Sequence, residues 1–174
     1  MGTRSCIILK VRKEDIGKVL KFDSKKLPVK LASWIDKDSE GKVWSDERGK
    51  NLCKPVEINS SYIAIYCHWD GYPSGVGAAL LNSFHTYDEV LNLILGGSCS
   101  HIVKENIRHY ANRKGEKWDY IAPFQNNVRK KVCDFYRDCW AEYAYMFDEE
   151  RGGWFYKDLF KRDFKPLSLY KGLQ

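Results

Sequence analysis

The sequence predicts an α+β fold, a single domain with helices packed on one face of a mainly antiparallel sheet. Three observations carry this expectation. Strand-like stretches stand far apart, at residues 3–11 and 62–69. Two helical patterns follow the second stretch almost without a break. An alternating aromatic hairpin comes late, over residues 140–157.

Residues 3–11 carry Ile7, Ile8, Leu9 and Val11, and apolar side chains fall on both faces. A strand buried on both sides reads this way, so it belongs near the centre of a sheet. From 12 to 61 the pattern degrades into dense charge interrupted by Pro28 and Pro55. The turn signal Asp38-Ser39-Glu40-Gly41 predicts a short hairpin inside an elaborated, insertion-like connection. Residues 62–69, YIAIYCHW, form the second strong strand, ended by Asp70-Gly71. Tyr72-Pro73 then forces an extended or turning backbone, and Ser74 is placed to cap a helix. Val76, Ala79, Leu80, Ser83 and Phe84 recur at helical spacing.

Thr86 and Glu89 are spaced as a capping box for the next helix. Tyr87, Val90, Leu91, Ile94 and Leu95 make its apolar stripe, and Gly96-Gly97 stops it. Residues 98–124 are weakly periodic. They read as a short helix through Ile102, Val103, Ile107 and Tyr110 or as an irregular segment, with Lys114-Gly115 as its end. Residues 127–137 predict a helix through Val128, Val132, Phe135 and Tyr136. In the late hairpin, Tyr143, Tyr145 and Phe147 share one face, and Trp140 and Met146 the other. A last short strand is expected at 167–170.

Composition narrows the chemistry. Six Trp, eleven Tyr and eight Phe are either a core of large residues or the walls of an aromatic pocket. A net charge of +6 suits an anionic partner, but the cations are interleaved with acids along the chain. None of the six cysteines forms a C-x-x-C pair, so no metal site is expected. No apolar run opens the chain and none is long enough to cross a membrane, so a cytoplasmic protein with reduced thiols is expected.

The candidate site lies in residues 62–77. His68, Asp70 and Tyr72 alternate around a strand end and would project to one side of an extended chain. They are candidates for holding a polar ligand, with Trp69 beside them, and His68 and Asp70 for acid–base catalysis. The plain reading is that Asp70-Gly71 is a turn and His68 a core residue. Ser74, Gly75 and Gly77 follow a strand and open a helix, where free N–H groups suit a phosphate. They match neither a phosphate-binding P-loop nor a dinucleotide fingerprint, and the plain reading is tight strand–helix packing. Arg4 is expected near Asp70, as a ligand clamp or as a salt bridge. No nucleophile–base spacing compels an enzyme, and no cofactor is called for.

MGTRS at 1–5, YCHWDGYPSGVG at 66–77, Gly96-Gly97-Ser98 and EYAY at 142–145 together resemble a group of small uncharacterised bacteriophage and prophage proteins. The long segment 12–61 departs from the short members. The resemblance implies a phage-encoded accessory protein acting in the host bacterial cytoplasm against host defence. With the aromatic content and positive charge, the expected function is sequestration of a nucleotide-derived signal. Two other readings stay open: an anti-CRISPR-like inhibitor docking on a host defence protein, and a nucleotide or phosphoester hydrolase using His68 and Asp70. Nucleic acid is a further possible partner, but not the favoured one.

Overall fold

The structure is a computed structural model describing residues 2–31, 53–103, 106–110, 120–161 and 163–169. The hairpin expected around residues 38–41 and the stop at 114–115 lie outside these residues.

The strands are β1 (Ser5–Lys10), β2 (Val19–Leu20), β3 (Lys30–Leu31), β4 (Val56–Glu57), β5 (Tyr62–Cys67), β6 (Cys99–Val103), β7 (Asn106–His109), β8 (Phe124–Asn126), β9 (Tyr143–Asp148), β10 (Gly153–Asp158) and β11 (Lys165–Pro166). Helices α1 (Ala78–Ser83), α2 (Tyr87–Leu95) and α3 (Arg129–Asp138) complete the described elements. One sheet runs β11-β10-β9-β1-β5-β6-β7-β3, with β8 also on β5, and β2 pairs β4 separately. The α+β class with a mainly antiparallel sheet is therefore observed. Among the described residues, no helix is long and apolar enough to cross a membrane.

β1 sits between β9, parallel, and β5, antiparallel. Ser5, Cys6, Ile7, Ile8 and Leu9 are fully buried, which is why the strand shows no hydrophobic alternation. Ile7 and Leu9 meet Val76, Leu80, Phe84 and the α2 stripe on one face. Cys6 and Ile8 meet Val132, Cys133 and Tyr136 of α3 on the other. Each such isoleucine contributes about 1.5–3 kcal/mol by leaving water. Thus α1 and α2 cover one face of the sheet, and α3 covers the opposite one. Trp154 ties the layers together by donating from Nε1 to the Phe84 carbonyl at 2.8 Å.

The capping box of α2 is complete. Thr86 accepts from the Glu89 amide at 3.2 Å, and Glu89 accepts from the Thr86 amide at 3.1 Å. Thr86→Ala should cost about 1 kcal/mol. In a chain of this size that lowers the thermal midpoint by roughly 2–4 °C, read in a melt beside the parent.

Five expectations need correction. The helices do not share one face of the sheet: α1 and α2 meet Ile7 and Leu9, whereas α3 meets Cys6 and Ile8. Where residues 98–124 are described, they hold the antiparallel pair β6–β7 and not the expected helix through Ile102, Val103 and Ile107. A register shift between Cys99 and His101 breaks the alternation that would have announced it. Ser74 is not the helix cap. Tyr72 is, and Pro73 opens a π-helical turn (Pro73–Gly77) that runs into α1, a position suited to a residue without an N–H. Near the C-terminus the strand is Lys165–Pro166, and Leu167–Leu169 is a 3-10 turn. Trp140 lies outside the late hairpin, with a left-handed backbone (φ 70°) and 76% exposure.

Candidate functional site

β6 continues alongside the end of β5, where the His68 and Trp69 amides donate to the Cys99 and Ser100 carbonyls at 3.1 and 2.9 Å. Asp70 then adopts a left-handed backbone (φ 55°), a conformation its short polar side chain tolerates. The chain folds back under β1: the Gly71 amide donates to the Thr3 carbonyl at 2.7 Å. The Gly71 carbonyl accepts from the Tyr145 hydroxyl at 2.6 Å.

That turn separates the sequence-predicted residues into two groups. His68 shares a hydrogen bond of 2.8 Å between Nδ1 and the Tyr66 hydroxyl, and its ring meets Trp69 edge-on at 4.7 Å. Burial raises the Tyr66 phenol to about 12, against the lowering effect of the nearby Arg4 charge. Arg4 forms no ion pair with Asp70; its charge is felt instead at Tyr66. Asp70 accepts instead from the Tyr72 hydroxyl at 3.4 Å. Asp70, Tyr72, Ser74 and Gly75 line a cleft of about 300 Å³ with Ala78, Ala79, Asn82 and Ile102. His68, Trp69, Arg4 and Gly77 do not line it, and none of its described lining residues is basic. His68 and Asp70 thus bond to different tyrosines.

The glycines serve close packing. A Cβ at Gly75 would overlap the Asp70 carbonyl oxygen, and one at Gly77 would stand 2.9 Å from Tyr145 Cε1. The Gly75 and Val76 amides donate to the Tyr72 and Asp70 carbonyls at 2.9 and 2.8 Å. These amides are therefore engaged within the turn and do not face outward for a phosphate.

Basic groups converge elsewhere. Packing of α3 over β5 and β8 leaves a groove of about 680 Å³ between the polar side of the helix and the chain from the end of β10 onward. Among the described residues, Arg129, Lys130, Arg137, Lys157 and Lys161 line it, against the single carboxylate of Asp134. Tyr62, Phe160 and Phe164 supply aromatic surface, with Phe160 73% exposed. The Arg129 guanidinium lies 5.0 Å from the Phe164 ring centre and the Lys157 ammonium 5.8 Å. Asp134 takes a 2.7 Å hydrogen bond from Lys130 and pairs with Arg137 at 3.7 Å. The Lys130 bond is the main cause holding its carboxyl below the ordinary range. Arg129, Lys157 and Lys161 have no ion-pair partner among the described residues. The first turn of α3 has no acidic residue and no side-chain cap, so cations sit at the positive end of the helix dipole. Cys133 also reaches the groove, and burial pushes its thiol upward.

Sequence reasoning missed this groove. It followed the buried stripe of residues 127–137, whereas the cations stand on the other side of that helix. Their partners are 20 to 30 residues further along the chain. The available signal was Arg129-Lys130-Lys131 opening a helix, with Lys157 and Lys161 flanking a short turn. Comparison of the chain with protein-family models, curated proteins and solved structures finds no match.

Proposed function

We propose that this chain is a non-enzymatic binding protein that holds a nucleotide-derived anion in the groove between α3 and β10. The observation carrying the reading is five cations against one carboxylate, among the described residues, around the exposed Phe160 ring and the half-buried Phe164 ring. Phosphate oxygens match the cations, and a base has rings on which to stack. The resemblance to phage and prophage proteins supplies the biological setting. There the protein acts in the host bacterial cytoplasm and withdraws a nucleotide-derived signal from host defence.

Mass spectrometry of nucleotide and cyclic-nucleotide pools, before and after mixing with the purified protein, tests this. A compound that leaves solution and returns intact on denaturation supports sequestration. One that returns cleaved overturns the non-enzymatic reading. Asp134→Asn gives a sharper sign. Removing the carboxylate takes away a repulsion of about 1 kcal/mol at contact distance in water, so the captured anion should bind about fivefold more tightly. Weaker binding by this variant, measured by calorimetry, would place the anion elsewhere.

A second reading, docking on a host defence protein, draws on the exposed Trp140 and Trp69 near the end of the sheet where β1 begins. It becomes the favoured reading if every compound in the pools stays free.

A further inference from the structure

The residues α3 contributes to the groove are Val128, Arg129, Lys130, Cys133, Asp134 and Arg137. Val128 is the N-cap, and the other five fall within about 140° of the helix circumference, on one face over its length. Arg129 and Arg137 are eight residues apart, which at 1.5 Å per residue sets their backbones about 12 Å apart. Lys157 and Lys161 stand on the facing wall, and Phe164 lies under Arg129 and Lys157. A mononucleotide carries its phosphates at one end and would leave one end of this row unmatched. A stacked single strand bears a phosphate every ~3.4 Å, so ~12 Å spans about three intervals and about four phosphates.

Resting on the reading that the groove holds a nucleotide-derived anion, we infer that its occupant is an oligonucleotide. It carries three to four phosphodiesters and lies along α3 with a base against Phe160 or Phe164. A linear strand and a cyclised oligonucleotide share this chemistry.

The test is fluorescence anisotropy with end-labelled oligothymidylates of two to six nucleotides, titrated at several salt concentrations. Affinity should climb with length to about four nucleotides and then level off. For the tetranucleotide, log K against log salt should fall with a slope of about −2 to −3, at roughly −0.7 per phosphate. Arg129→Gln and Arg137→Gln should each flatten that slope by about 0.7. Both arginines are surface side chains, and circular dichroism confirms that each variant folds.

ATP competing as well as the tetranucleotide, with no dependence on length, overturns the oligonucleotide and leaves the anion-binding reading standing. Silence from both at low salt overturns that reading as well. Length-dependent binding whose slope neither variant alters overturns the placement along α3. Displacement of the strand by a cyclic trinucleotide supports the cyclised source, and failure to displace it supports the linear one.

Discussion

Gly75→Ala is expected to destabilise the protein by about 3 kcal/mol, near the top of the range for overpacking. The new Cβ would overlap the Asp70 carbonyl oxygen and stand 2.9 Å from Tyr72 Cε2. That oxygen cannot retreat easily, because it accepts from the Val76 amide at 2.8 Å and belongs to a residue already in the left-handed region. Gly152→Ala is the control. Its backbone also needs positive φ (94°), but nothing lies within 4 Å of the added atom, so conformational strain alone applies, about 1–2 kcal/mol. Urea unfolding of both variants separates the two costs. Equal losses would mean that the turn before α1 is not closely packed.

Acid should weaken the fold through His109. The ring is fully buried, its Nε2–H donates to the Leu93 carbonyl at 2.9 Å, and Phe22 meets it edge-on at 5.0 Å. Its Nδ1 has no hydrogen-bond partner among the described residues. Burial lowers the imidazole to about 4, although the Leu93 bond pulls the other way. The unfolded chain takes up this proton near 6.5, so between about 6.5 and 4 the unfolded state binds more protons than the folded one. Stability therefore falls as the pH drops through that window and levels off below it. Integrated from pH 7 to 5, the loss is roughly 2 kcal/mol. The depressed carboxyls of Asp15, Asp134 and Glu149 act only below their ordinary values of 3.8 to 4.5, largely outside the window. Denaturant midpoints at pH 7 and pH 5 for the parent and His109→Leu provide the check. The variant should start less stable, because the Leu93 carbonyl loses the imidazole donor and keeps only the Gly96 amide at 3.2 Å, but it should lose much less on acidification. An equal loss in both would remove His109 as the cause.

What could be read from the sequence was local in origin. The unbroken apolar run of β1 marks burial on both faces, the Thr86–Glu89 pair marks the start of α2, and the alternation of β9 and β10 with their turn marks a hairpin. Each signal lies within a few residues of the structure it specifies. The alignment of His68, Asp70 and Tyr72 failed because alternation places side chains together only while the chain stays extended, and Asp70 turns it. Gly75 and Gly77 looked like a phosphate cradle because a sequence shows a missing side chain but not what fills the space. Here the Asp70 carbonyl and Tyr145 fill it. The groove was not legible because its cations come from 129–137 and 157–161, two segments that only the packing of α3 on the sheet brings together.

The central claim is that the anion site is the groove along α3 and not the cleft at Asp70. Hydrogen-exchange mass spectrometry with and without a saturating oligothymidylate tests it most directly. The account predicts slowed exchange in peptides covering 128–137 and 157–164, with 70–82 unchanged. Protection confined to 70–82, with α3 exchanging as in the free protein, would contradict it.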